Sequence, residues 1–513
     1  MFFRVTQSLV ETEKSRSKLS GIDNKEMRQV KKHIRLTLFI AMLLISTMPL
    51  SGFYIASAEI ALHQSGQEFS EWTRDLESGC FVYYEDNGTS ACRPASEEEA
   101  RTLVERDQTL PLKAISTEGE FLQAAGMMNI ILRGTPQLDG FPQAKNAFLR
   151  AAAQWGALVR ADITVVIDVD FGPTRFGVPY PLGVLGSADS QQLGSADGYA
   201  DARAALIASA GDDDELALYN ALPQASVPTD LGNTSRLFAP SAALRALGLI
   251  GRVADPAVEQ GQFGPPPSIG FNSSFDFDFD PSDGVTAGQI DFETVAAHEV
   301  GHVLGFASFV GAKELNPAMD VSLSIWDIFR LRPGAAAAAL SPASFNAAQR
   351  ILSSGGEQVF FAGGEELRLS TGRPDATGGD GFQASHWKNN NLTGITIGIM
   401  DPDIAPGERQ TISDNDLKVL NRIGYGAEQA DEGGPKLKRV TFNGSRLTIK
   451  GSGLTREVQI VVNFVVVPPL AIKGNSKKLK INGTQAEFNL RSGANIVQVI
   501  RDGLRSNIAV LNL

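Results

Sequence analysis

Residues 291–306 read DFETVAAHEVGHVLGF. His298 and His302 stand four positions apart, so on a helix both imidazoles project from one face and can hold one Zn²⁺. Glu299 lies beside them but out of step, where it reaches a water on the ion rather than the ion itself. Zinc lowers the pKa of such a water towards ~7, and the carboxylate takes its proton and hands it to a departing amine. This is the spacing of a hydrolytic zinc site with Glu299 as general base and acid. Asp291 is placed to N-cap the helix, and Gly305 to end it in a left-handed conformation. The plainer reading is a surface helix that carries H-E-x-x-H by chance. The capped, apolar-flanked setting weighs against it.

A tetrahedral catalytic zinc wants a third protein ligand and an open fourth position. Here the sequence resembles the metzincin clan, whose pattern H-E-x-x-H-x-x-G-x-x-H is followed later by a Met-turn. Gly305 fits that pattern, but Ser308 stands where the third ligand belongs, and a neutral hydroxyl is a poor zinc ligand. The chain has five histidines. His33 lies in the leader and His63 just past it, which leaves His386 downstream. An acidic third ligand remains open, with Asp401 and Asp327 the first to test.

His386 is followed by Trp387 and then by Gly398-Ile399-Met400-Asp401-Pro402. This succession resembles the leishmanolysin group of metzincins, in which an inserted segment separates the helix motif from the third histidine. The likeness runs from about Asp291 to Tyr425. It implies His298, His302 and His386 as ligands of one catalytic Zn²⁺, residues 309–385 as the insertion, and Met400 as an apolar floor that does not ligate. The chain departs from that group in having only two cysteines and no C-terminal anchor signal.

The chain's 513 residues, 43% hydrophobic and 20% charged, suit a globular protein of more than one domain. A net charge of −12 without a dense basic patch argues against nucleic acid as a partner. Lys31, Lys32, His33 and Arg35 precede an apolar run from Leu36 to Ile45, and Ala56-Ser57-Ala58 has the form of a signal-peptidase site. The reading is export, with cleavage after Ala58 and no membrane span in the mature chain. The polar stretch before Met27 leaves Met1 and Met27 as alternative starts, and an uncleaved anchor is the other reading of the run. In an exported chain Cys80 and Cys92 read as a disulfide that closes a hairpin across Phe81–Tyr84 and Asn87-Gly88. A sharper reading has one thiol capping the metal in a latent precursor.

These parts are expected on an α+β scaffold. Residues 1–58 are the leader, 59–120 an N-terminal lobe or pro-segment, and 121–426 a metzincin-like zinc domain. A helix is expected from Pro142 to Val159 with Phe148, Ala152 and Trp155 on one face, and a strand over 163–169. Further helices are expected near 200–209, 241–248, after Pro342 and over 413–422. Substrate is expected to lie along Ser268–Phe275 as an edge strand. Residues 427–435 read as a linker. Beyond it, short apolar runs, Glu487–Leu490 among them, predict a β-sandwich over 436–513 that resembles IPT/TIG immunoglobulin-like domains. The alternation of Phe and Asp in Asp276–Asp283 hints at Ca²⁺, but its spacing fails the EF-hand and a wet-edged strand is the simpler account. The basic cluster Lys473–Lys480 reads as a solvated sheet edge.

The activity these features imply is a secreted zinc endopeptidase acting on protein or peptide. The contrasting reading is a non-catalytic surface or adhesion protein with a relic of the site. A zinc hydrolase of non-peptide bonds is a third.

Overall fold

The computed structural model describes residues 71–513 apart from 74–79, 85–88, 97, 100–104, 108, 116–127, 281–282, 336–341, 375–377, 428–433, 463–464, 469, 491–493, 503 and 507–508. The expected leader, with His33 and His63, falls outside the described residues. Among them, no helix is long and apolar enough to cross a membrane.

The architecture mixes helices with several sheets. The main sheet has eight strands: β1 (Cys80–Tyr84), β2 (Ser90–Cys92), β3 (Lys113–Ala114), β4 (Asn129–Gly134), β5 (Thr164–Gly172), β6 (Val184–Asp189), β7 (Ser268–Asn272) and β8 (Asp403–Ile404). Their order is β8-β2-β1-β6-β7-β5-β4-β3. The neighbours β4 and β5, and β5 and β7, run parallel. β6 is antiparallel to β7, the β1–β2 hairpin adds antiparallel to β6, and β8 closes antiparallel on β2.

Central strands covered on both faces are buried throughout, and β5 is buried from Val165 to Gly172 although its sequence alternates. Its two carboxylates are paid for locally: Asp168 is held by Arg106 and Arg133, and Asp170 accepts from Thr135 Oγ1 and the Phe176 N–H. Helix α1 (Pro142–Leu158) forms where expected, with Phe148, Ala152 and Trp155 all buried. It packs along helix α2 (Phe292–Leu304), which carries the H-E-x-x-H residues. Trp155 Nε1 donates to the Ala297 carbonyl at 2.8 Å, Arg150 pairs with Glu293 at 2.6 Å, and Phe148 meets Phe292 edge-on. Helix α3 (Asp414–Arg422) starts with a capping box formed by Ser413 and Asp416.

The expected helices at 198–209, 241–246 and 342–347 are present, and Gln358–Phe361 pairs with Glu366–Leu369 as a hairpin. Beyond residue 435 the chain has its own apolar core, drawn from a four-stranded and a five-stranded antiparallel sheet. Of the lysine cluster, Lys473 lies on an edge strand, Ile472–Asn475, whereas Lys478 and Lys480 lie on its inner neighbour, Lys478–Asn482.

Two expectations, on Ser268–Phe275 and on Glu487–Leu490, need correction. Ser268–Asn272 is no edge strand, since β6 and β7's other neighbour β5 occupy both its sides. Within residues 59–120, β1, β2 and β3 are strands of the main sheet. Val184–Asp189 (VLGSAD) carries no strand signal, being mostly small residues, yet it is fully buried as β6 because its neighbours supply the pairing. Glu487–Leu490 is a turn rather than a strand: the Thr484 hydroxyl and Glu487 carboxylate each bond the other's backbone N–H.

Candidate metal centre

Every residue of α2 is buried, which suits a helix apolar on most of its surface. Asp291 occupies the N-cap position, but its side chain makes no capping bond. The carboxylate instead accepts from Thr294 Oγ1 at 2.6 Å and from Arg409, Nε at 2.8 Å and Nη2 at 2.9 Å. Gly305 ends the helix at φ 154°, positive but outside the left-handed helical well, and a Cβ there would collide with Ile423 Cδ1.

His298, His302 and His386 come together. Their Nε2 atoms lie 3.0 Å (298–386), 3.2 Å (298–302) and 3.2 Å (302–386) apart. Each Nδ1 faces a backbone carbonyl: Ile399 at 2.8 Å, Phe306 at 2.6 Å and Gln383 at 3.0 Å. A carbonyl only accepts, so each Nδ1 carries the proton. In a neutral ring Nε2 is then a bare lone pair. Burial, as the first cause, holds His298 down to about 4, His302 to about 3 and His386 well below the usual value, so all three rings are neutral near pH 7. Three lone pairs converging at this separation repel one another unless a cation sits among them. A tetrahedral ion with Zn–N bonds of about 2.05 Å would set its nitrogens roughly 3.3 Å apart, close to what is observed.

Cys92 completes the cluster. Its Sγ is 3.8 Å from His298 Nε2, and one donor atom from each of Cys92, His298, His302 and His386 lies within 4.8 Å of the others. These four buried side chains can hold a metal ion. Cys92 is also disulfide-bonded, and the chain's other cysteine is Cys80. A disulfide sulfur is a weak donor beside a thiolate, so the donor set that fits as the protein stands is the three imidazoles.

Glu299 is fully buried, and neither carboxylate oxygen has a hydrogen-bond partner among the described residues. Burial pushes its pKa well up, against a smaller pull from Arg175. A buried carboxyl without a partner beside a metal-binding cluster marks a candidate functional group. It lines a cavity of about 20 Å³ with Cys92, His298 and Asp401, which is room for one water.

Met400 is buried under α2, where a Cβ on Gly301 would collide with its Sδ. The glycine inside H-E-V-G-H is therefore a packing requirement that the motif alone does not announce. Ser308 does not ligate. Its N–H donates to Ser385 Oγ at 3.0 Å, which ties the end of α2 to the residue before His386, and its hydroxyl donates to Asp327 at 2.7 Å. Asp327 also accepts from the N–H groups of Phe309 and Ser324 and pairs with Arg330, so it is a structural hub and no substitute ligand. Asp401 lines the cavity but is not among the clustered donors. At the Asp276–Asp283 segment, Asp278 accepts from the N–H groups of Asp280 and Thr286.

Sequence reasoning passed over Asp416. Its buried carboxylate accepts from Trp387 Nε1 at 2.8 Å and the Ile399 N–H at 2.9 Å, and so locks the His386 segment to the Met400 turn. The capping signal S-x-x-D was the one local sign of it.

No protein-family model matches the chain, and no curated protein matches it.

Proposed function

We propose that the chain is an exported zinc endopeptidase, with His298, His302 and His386 as zinc ligands and Glu299 as general base and acid. One observation carries the reading. Three imidazoles, each committed through Nδ1 to a carbonyl, aim bare Nε2 lone pairs at one point, with an unpartnered buried carboxyl on the next residue of the same helix. Zinc held there would supply Lewis-acid polarisation of a scissile carbonyl.

The chain's own residues divide the remaining work. The carbonyls of Ile399, Phe306 and Gln383 fix the imidazole tautomers and raise the basicity of Nε2. Glu299, uncharged while dry, becomes an effective base when a water and a cation stand beside it, since the opposite charge favours its ionised form. It removes a proton from the attacking water and delivers it to the leaving nitrogen. Gly301 and Met400 hold the helix at its seat. The order His386-Trp387, then Ile399-Met400, supports the resemblance to leishmanolysin-type metzincins, and the second core beyond residue 435 supports an IPT/TIG-like module that serves attachment or targeting.

The second reading, a non-catalytic metal site, is favoured by one feature: the Cys92 sulfur beside His298. Its disulfide weighs against a fourth protein ligand.

The test is zinc content and casein cleavage by the chain from residue 59 onwards. One zinc per chain is expected. Glu299→Ala is expected to keep the metal and lose cleavage, and His386→Ala to weaken metal binding. Stoichiometric zinc with no cleavage after limited proteolysis would move the reading to the non-catalytic one.

A further inference from the structure

We propose that the outer face of the four-stranded sheet beyond residue 435 binds an anionic polysaccharide. This rests on the attachment reading of that module and not on the peptidase. Residues 436–513 carry 13 Lys and Arg against 3 Asp and Glu, a net +10 in a chain whose total is −12. Over 436–482 the only acidic residue is Glu457. The sheet consists of β9 (Lys436–Phe442), β10 (Arg446–Ser452), β11 (Ile472–Asn475) and β12 (Lys478–Asn482), in the order β9-β10-β12-β11. Val440, Leu447, Ile449, Leu479 and Ile481 fill the module's core from one face. The residues that alternate with them stand on the other.

Register then sets cations side by side on that outer face. Arg439 stands opposite Lys450, Lys450 opposite Lys478, and Lys480 opposite Lys473. Arg446 joins them, its Nε donating to Asn482 Oδ1 at 2.8 Å. Three strand spacings make the face roughly 14 Å across. Like charges directly opposite one another destabilise a sheet. Among the described residues, none of the six is in an ion pair. Lysines that ward off strand pairing belong on edges. That accounts for Arg439 and Lys473, and not for Arg446, Lys450, Lys478 and Lys480 on the two inner strands.

A repeating anion laid across the face would relieve the repulsion by charge complementarity. Thr441, Thr448, Asn475 and Asn482 stand among the cations, and their hydroxyls and amides suit the hydroxyls of a sugar. The residues of the face include no aromatic side chain on which a base could stack. They include no apolar one to enter a lipid surface. The face therefore fits a polysaccharide with carboxylate or sulfate groups on its rings better than nucleic acid or an anionic membrane.

The experiment measures binding of the full chain to dextran sulfate and polygalacturonate. Uncharged dextran, a short DNA duplex and phosphatidylglycerol vesicles serve as comparisons. The parent is set beside Lys450→Ala/Lys478→Ala/Lys480→Ala and beside the same three changed to Arg. A third variant, Lys113→Ala/Lys145→Ala/Arg252→Ala, removes equal charge elsewhere. At about 0.1 M salt the parent is expected to bind both polyanions and not dextran. The first variant is expected to bind them at least about tenfold more weakly, with a log–log salt slope shallower by about two for three lost contacts. The other two variants are expected to keep the parent's affinity.

No binding of either polyanion by the parent overturns the proposal, as does an equal loss in the variant changed elsewhere. Tighter binding of DNA or vesicles than of both polyanions overturns it in favour of that partner. The first variant relieves like-charge contacts and is expected to melt no lower than the parent. Should it fail to fold, Lys480→Ala alone decides: a slope shallower by nearly one is expected, and an unchanged slope overturns the proposal. Polyanion binding with no casein cleavage by any of these proteins keeps the surface and sinks the peptidase alone.

Discussion

Trp387 donates its indole N–H to Asp416 across 2.8 Å of buried interior, and that bond joins the residue after His386 to the helix behind Met400. The same carboxylate takes the Ile399 N–H, and the Ile399 carbonyl in turn takes Nδ1 of His298. One side chain therefore sets the positions of two of the three imidazoles. Asp416→Ala is expected to leave the indole and the Ile399 amide unsatisfied, at a cost of about 3 kcal/mol in urea denaturation, and to weaken zinc binding. An unchanged zinc affinity would remove Asp416 as a positioning residue.

Gly301→Ala tests the seat of α2. In an ordinary helix the change is favourable by about 0.5–1 kcal/mol. Here the added methyl meets Met400 Sδ and approaches Trp155 Cζ2 to 3.5 Å, so overpacking of about 1–3 kcal/mol is expected to win. Thermal denaturation reads the sign. Combining it with Met400→Ala is expected to recover part of the loss, as double-mutant coupling between touching groups requires.

Glu299→Gln is expected to separate stability from activity. Burial raises the carboxyl's pKa, and among the described residues no hydrogen-bond partner offsets it, so near pH 7 the fold carries a cost that an isosteric amide lessens. The metal-free variant should melt higher than the parent while peptide cleavage disappears. A metal-free variant that melts lower would mean that the carboxylate has a stabilising partner in solution.

Asp401 offers a pH test. Burial, with Asp403 adding repulsion, raises its pKa from 3.8 to about 8. A carboxyl raised on folding stabilises fully below its unfolded value, and that contribution is lost as pH climbs towards the folded value. Metal-free Asp401→Asn should therefore match the parent near pH 4 and exceed it near pH 8. Parallel stability curves across that window would refute the assignment.

The chemistry was legible because it is local. Four-residue spacing on a helix places His298 and His302 whatever surrounds them, and Glu299 follows from the same geometry. Helix α1 was legible for the same reason, since apolar periodicity acts within a few turns. His386 was nameable because few histidines competed for its role.

What the sequence left undetermined depends on pairing between distant segments. VLGSAD becomes a buried strand only between β1 and β7, which provide the hydrogen bonds its small side chains do not advertise. Cys80 and Cys92 read as a disulfide closing a hairpin, with a thiol over the metal as the sharper alternative. The register of β1 against β6 and of β2 against β8 carries Cys92 to the metal-binding cluster, and no spacing in the chain encodes that. His298, Glu299 and His302 were set by the sequence through short-range geometry. Where the cluster's residues meet is decided by tertiary structure, because the convergence of Cys92 and His386 on the helix depends on pairing between segments distant in the chain.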